Sequence, residues 1–402
     1  MQYLRLPTTF DKDLKYLAAS MFTRRTIMGF RMVAYAIYFN LLGYSPVRVG
    51  LLLSIATFMS AIHHITFGYL CDKYGRKQFL LLGTVFATLR MVIFTFFTGF
   101  WMLVLAQSLG AMGEGIGAGQ PVVSGYITDK TDVKERAEVY STLAITNAIS
   151  TTIGSALGGL PQFIVSTSNM DIIEAHKVIW GASAIISGLS LLLLIPIKEA
   201  VPKSGEGKDQ PSKGIRNWNT IAKFSLVRSS SGLGWGMIGS LMTLYFYQRF
   251  GVGSEVLGPI YAFSRFLSIF SYMLVPHLVR MFGDINTLVG SRIASGLVTV
   301  AFASAHNYNL AVALLVLNRI VLMFSMPIRQ NFASGMVDPD ETATAIGISN
   351  SARMGVRSVA PTLAGYMFES ISLSLPFHIG AALLAINGGL YWAFFRKDNS
   401  NS

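Results

Sequence analysis

The chain has 402 residues, of which 52% are hydrophobic and 13% charged, and its net charge is +12. An average soluble domain carries about 25% charged residues, so a water-soluble globule of this length could not hide so much apolar surface. The surplus cations lie scattered between apolar runs and form no basic stripe with interleaved aromatics, which excludes nucleic acid as the natural partner, and the single cysteine, Cys71, excludes an intrachain disulfide.

In chain order, apolar segments fall near residues 16–42, 47–67, 79–97, 101–128, 137–160 and 175–197, and then near 219–250, 256–279, 287–305, 310–337, 342–368 and 375–395. A helix of roughly 20 residues crosses the hydrocarbon core of a bilayer, and these runs are too long and alternate too little to be barrel strands. The expected fold class is an all-α membrane protein of twelve transmembrane helices. Residues 1–16 hold no short apolar core ending in a small-residue cleavage site, so the first span is expected to be retained. Lys198–Arg216 is rich in Gly, Pro, Ser and charge, which forbids a packed helix. It divides the chain into an N-terminal six-helix bundle (1–197), a linker (198–217) and a C-terminal six-helix bundle (218–402). Lys and Arg resist translocation, and with Met1 inside, Lys12, Lys73, Arg76, Lys77, Lys130, Lys198, Arg280 and Lys397 all fall on the cytoplasmic side. Only Arg48, Lys177 and Arg249 fall outside. Both termini are therefore expected in the cytoplasm and the chain in the cell membrane.

The two halves resemble each other. Gly43, Gly50 and Gly75 match Gly251, Gly258 and Gly283 at an offset of 208, and Pro121, Glu135, Ala137 and Gly159 match Pro327, Glu341, Ala343 and Gly365 at an offset of 206. Parallel six-helix repeats around a midplane site are an arrangement that transporters use.

Between the second and third segments stands Gly68-Tyr-Leu-Cys-Asp72-Lys73-Tyr-Gly75-Arg76-Lys77. It is similar to the first cytoplasmic loop signature of the major facilitator superfamily, G-x-x-x-D-[RK]-x-G-R-[RK], with every specified position filled. The resemblance implies two pseudo-twofold-related bundles and a cytoplasmic gate formed by Gly68, Asp72, Lys73, Gly75, Arg76 and Lys77, with the start of the eleventh span, near 342–345, as acceptor. At the repeat position, Arg280-Met-Phe-Gly283-Asp284 keeps only the glycine and an ion pair. The fourth span resembles the family's L-x-x-x-R-x-x-Q-G-x-G in part, with Ala111 for the arginine and Glu114 for the glutamine. Gly154-Ser155-Ala-Leu-Gly158-Gly159 resembles the antiporter motif G-P-x-x-G-G with serine for proline.

A charge at the bilayer centre costs about 2.5–3.5 kcal/mol unless it faces a partner or water. Mid-span charges are Arg31, Arg90, Glu114, Arg265, Arg319, Arg353 and Arg357, so they are expected to line a cavity or a seam between helices. The resemblance puts the third span at the periphery, which makes Arg90 structural. Arg353 and Arg357 share a helix face with Asn350, and Asn147 and Thr151 occupy the equivalent positions on the fifth span. Substrate contacts are thus expected from Arg31, Asn147, Arg265, Arg319, Asn350, Arg353 and Arg357. Six arginines against one glutamate leave positive charge that a carboxylate, phosphate or sulfate would neutralise through forked hydrogen bonds; the alternative is that they bond carbonyls and polar side chains between helices. Glu114 is the expected proton carrier, because burial raises a carboxyl pKa, unless it stands in a fixed ion pair with Arg31 or Arg319.

There is no HExxH, GxSxG or GxxxxGK[ST] segment and no metal-ligand spacing, so no enzyme, metal or cofactor is expected. The reading is a monomeric secondary transporter of a small solute, proton-coupled, with an organic anion as substrate and membrane lipid around it. Multidrug efflux is the alternative, and a helical receptor or scaffold the alternative of another class.

Overall fold

A computed structural model describes residues 11–109, 120–199, 218–335 and 339–396. They form fifteen α-helices, with no strand among the described residues. In the first half these are α1 (Lys12–Leu41), α2 (Pro46–Tyr74), α3 (Arg76–Phe96), α4 (Phe100–Leu109), α5 (Gln120–Lys130), α6 (Val133–Ala156), α7 (Leu160–Ser168) and α8 (Ile172–Leu194). In the second half they are α9 (Trp218–Gly239), α10 (Met242–Phe250), α11 (Ser254–Phe282), α12 (Asp284–Ser304), α13 (Tyr308–Gly335), α14 (Pro339–Ser370) and α15 (Leu375–Phe395). Helices α4 with α5, α6 with α7 and α9 with α10 each make one span, so the fifteen helices give twelve crossings.

Seven helical stretches among the described residues are by length and composition apolar enough to cross a bilayer unaided, whereas α1, α9 and α14 are not among them. Those three carry Arg24, Arg25, Arg31, Arg228, Arg353 and Arg357. The outward surface is apolar instead: Trp101 is 78% exposed, and Ile185 and Leu297 67% each. In water such side chains would be buried; in lipid the outside is the apolar solvent.

By packing, the chain divides into two compact units. One comprises Met1–Leu42, Ile55–Lys208 and Ser254–Ala262, the other Gly43–Ser54, Asp209–Gly253 and Phe263–Ser402. In the first, α1 packs on α6 and α8, and α3 on α8 and α4. In the second, α9 packs on α14 and α15, and α12 on α15 and α13. The pattern is the same one twice. It extends to backbone conformation: the repeat-related glycines Gly43 and Gly251, and Gly75 and Gly283, are the only glycines with positive φ among the described residues, at 85°, 69°, 99° and 78°. Each reverses the chain after a span, in a region that L side chains avoid.

Close helix approach depends on small residues in both units. On the α1–α6 seam a side chain at Gly29 or Gly154 would collide with the carbonyls of Thr151 and Thr26. On the α9–α14 seam Gly232 and Gly236 lie against Arg353, and against Arg357 and Ala360. Aromatic plugs complete each unit. Trp180, fully buried, touches Phe30, Tyr35, Tyr38 and Phe94, while Tyr245 meets Phe302 and Phe377. Phe94 and Phe302 are themselves 208 residues apart.

Candidate functional site

The α2–α3 loop is a lattice of charge at one end of the first unit. Gly75 turns the chain at φ 99°, and Glu199 caps the exposed N-terminus of α3, its carboxylate accepting from the backbone N–H of Arg76 at 2.6 Å and of Lys77 at 3.1 Å. A carboxylate is favoured there because the helix dipole is positive. A Cβ at position 75 would stand 3.0 Å from Glu199 Oε2, so glycine serves both the turn and the cap. Arg76 Nε donates to Asp129 Oδ2 on α5 in a short charge-assisted bond. Its guanidinium lies over Gly125, where any side chain would collide with it. Lys77 Nζ donates to the Ile195 carbonyl at 2.8 Å, and Lys130 Nζ to Asp13 Oδ2 at 2.5 Å. Lys73 rests over the ring of Tyr74, and Gly68 lies within α2, its carbonyl accepting from Cys71 Sγ. The side chain of Asp72 and those of 342–345 lie outside the described residues. Sequence reasoning missed Gly125, Asp129 and Glu199 as partners of this loop; the one available signal was an acid at the end of the fourth span.

The interior arginines separate into two groups. In the first unit Arg24, Arg31 and Arg90 line a small, partly open pocket with Ile27, Met28, Ala87, Met91 and Ser187. Arg31 and Arg90 both stand over the Tyr35 ring, at 5.1 and 5.2 Å from its centre. Arg90 also donates to Gln107 Oε1 at 2.5 Å, and Arg24 to Thr84 Oγ1 at 3.1 Å. Asn147, on α6, has a buried Oδ1 without a hydrogen-bond partner. Glu114 and Ala111 lie outside the described residues.

In the second unit Arg319 on α13 stands over Trp235 at 5.5 Å and lines a small, partly open pocket with Ile238, Met242, Leu315 and Asn318. Arg265 is half-buried on α11. Arg353, Arg357 and Asn350 do share one region of α14, and Asn350 Oδ1 accepts from Arg228 Nη2 on α9 at 2.7 Å. Asn350, Arg353 and Arg357 lie along α14, Arg319 on α13 and Arg265 on α11 of the same unit, and Arg31 and Asn147 belong to the other unit. Five further interior arginines, Arg24, Arg25, Arg228, Arg292 and Arg329, escaped the sequence reading. Their depth within the helices was the available signal.

Among the described residues, carboxylates stand at or near helix ends or in the connections between helices. Residues 17–361 match the Major Facilitator Superfamily. The chain is 19% identical to an uncharacterized membrane protein of Saccharomyces cerevisiae over 93% of this chain and 92% of that protein, and 24% identical to multidrug resistance protein 1 of Bacillus subtilis over 86% and 87%. Among solved structures, a bacterial homologue of the human lysosomal transporter Spinster superposes with a TM-score of 0.75 at 16% identity, covering 96% of this chain and 97% of that one. With its twelve helical spans, its loop signature and a match across most of its length, this multi-pass membrane protein belongs to the Major Facilitator Superfamily of transporters.

Proposed function

We propose that the chain is a secondary active transporter of the cell membrane, with both termini cytoplasmic, that carries a small organic anion by alternating access. The observation that carries this reading is the unbalanced interior charge: Arg228, Arg353 and Arg357 lie inside the spans, and their surroundings among the described residues supply amides, hydroxyls and further cations. A buried cation without a counter-charge is costly, and an anionic solute relieves that cost on binding. Arg31, Asn147, Arg265, Arg319, Asn350, Arg353 and Arg357 are the proposed substrate contacts. Coupling is to protons through Glu114, and Gly68, Asp72, Lys73, Gly75, Arg76 and Lys77 form the cytoplasmic gate of a monomer. The bonds of Arg76 to Asp129 and of Lys77 to Ile195 support the gate, since they tie α3 to α5 and α8.

The likeness to a multidrug resistance protein over most of both chains favours a second reading, export of lipophilic drugs. One experiment separates the two: proteoliposomes under an imposed pH gradient are screened with organic anions and with lipophilic cations, for the wild type and for Glu114→Gln. Anion uptake that loses its pH dependence in the variant supports the first reading. Transport of cations alone supports the second.

A further inference from the structure

Trp235 lies one turn before the end of α9, which stops at Gly239 before the chain resumes as α10 at Met242. Residues four apart share a helix face, and a Cβ at Gly239 would lie 3.5 Å from indole Cε2 and 3.7 Å from Nε1. The bare glycine leaves that edge of the indole uncovered by its own helix. From α13, Arg319 sets its guanidinium 5.5 Å from the ring centre. Both residues are half-buried, and both line the same small, partly open pocket. The remaining wall is of a different kind. Ile238, Met242 and Leu315 are buried apolar side chains. Asn318 directs its amide to α12, where Oδ1 accepts from Ser295 Oγ at 2.9 Å and Nδ2 donates to Thr299 Oγ1 at 2.5 Å. A half-buried indole and a planar cation therefore stand together against an apolar wall.

A guanidinium stacked on a ring uses its faces, while its forked donors lie in its own plane, so stacking and carboxylate recognition do not compete. The indole acts on the other half of such a solute. Aromatic rings in offset or edge-to-face contact gain about two- to tenfold in affinity over what burial alone supplies. A saturated ring of equal size would be served as well by Ile238, Met242 and Leu315, and a cationic one would be repelled by Arg319. We propose that Trp235 is a specificity-determining residue, which with Arg319 forms a subsite for the aryl end of an aromatic carboxylate. The pocket is small and open on one side, so it receives this end of a solute and not the whole of it. The assignment rests on the anion reading above, in which Arg319 is a substrate contact, and narrows that reading to anions that carry a ring close to the acid.

The test uses the purified full chain in phosphatidylcholine nanodiscs and follows the thermal midpoint. Three probes are titrated at fixed ionic strength: 3-phenylpropanoate, 3-cyclohexylpropanoate and 3-phenylpropylamine. The two acids share charge and nearly share bulk, so they differ in the π system, while the amine keeps the ring and reverses the charge. Half-saturation by the phenyl acid is expected at a concentration at least threefold lower than by the cyclohexyl acid, with no response to the amine. In Trp235→Leu the two acids become equivalent, because the cyclohexyl acid loses little and the phenyl acid loses its advantage. Trp235→Phe keeps a ring and keeps the preference. Should Trp235→Leu fold poorly, Trp235→Met gives the same readout with a longer side chain. Equal half-saturation of the wild type by the two acids, a preference that survives in Trp235→Leu or Trp235→Met, or indifference to both acids overturns the subsite. The proteoliposome screen separates this result from the transport reading. Aryl acids that bind with the expected preference but are not carried leave the subsite standing and remove the transport of anions; anion uptake without any aryl preference does the reverse.

Discussion

Arg228 on α9 and Asn350 on α14 are joined by a 2.7 Å hydrogen bond from Nη2 to Oδ1, so a guanidinium inside the membrane is held by an uncharged amide. The pair fixes orientation without neutralising charge.

Replacing Asn350 by aspartate supplies the missing charge from within. Asn350→Asp is expected to retain or raise thermal stability while lowering anion uptake at least tenfold, because a fixed carboxylate competes with the solute for Arg228. Asn350→Ala leaves a partly buried donor unmet and is expected to cost about 1–3 kcal/mol. Uptake rates in proteoliposomes beside melting midpoints in detergent give the comparison, and undiminished uptake in the aspartate variant would remove Arg228 from the transport path.

The seams between helices predict which glycines tolerate a methyl group. At Gly154 the added carbon meets the Thr26 carbonyl, and at Gly236 it meets Ala360 Cβ at 2.5 Å, whereas at Gly290 and Gly355 nothing lies within 4 Å. Gly154→Ala and Gly236→Ala should each destabilise by about 1–3 kcal/mol, the usual range for forcing atoms into a packed core. Gly290→Ala should be neutral or stabilising by up to about 1 kcal/mol from helix propensity. Gly43→Ala has open space too, but its φ of 85° makes it costly by about 1–2 kcal/mol. Thermal unfolding of the four variants side by side tests the ordering.

Much of this architecture is legible in the sequence because it depends on local or periodic signals. Gly43 and Gly251, and Gly75 and Gly283, recur at one offset, and all four have positive φ. The spans follow from apolar length, and the loop signature from fixed spacing. Pairing between distant residues is not legible in this way: Asp129 stands 53 positions from Arg76, and Glu199 caps a helix that begins 123 positions earlier. Nothing in the composition marks Arg292 as buried and Arg280 as a helix-end charge, since both are single arginines beside apolar runs; only the position within the finished helix distinguishes them.

The ion pair between Arg76 and Asp129, with side chains only 17% and 12% exposed, should behave as one unit. Arg76→Ala and Asp129→Ala are each expected to destabilise by about 1–3 kcal/mol, because each removes a charge-assisted hydrogen bond between partly buried side chains. The double variant should cost clearly less than their sum, as expected for residues in direct contact. Arg76→Lys should not rescue, since the guanidinium is held by its flat packing over Gly125 as well as by its charge. Additive losses in the cycle would show that the two residues act separately.

Trp180 offers the sharpest test of the first unit's packing. Its side chain is fully buried and touches rings from α1 and α3, so one residue of α8 cements three helices. Truncation to alanine removes those contacts and leaves a void that fixed helices cannot close. The expected cost is about 3–5 kcal/mol. Trp180→Phe keeps a ring against Tyr35 and Phe94 and also removes an indole N–H that has no hydrogen-bond partner, so it should cost much less than the alanine change. Chemical unfolding of both variants in mild detergent measures the difference, and equal losses would mean that the buried ring contributes no more than its backbone position.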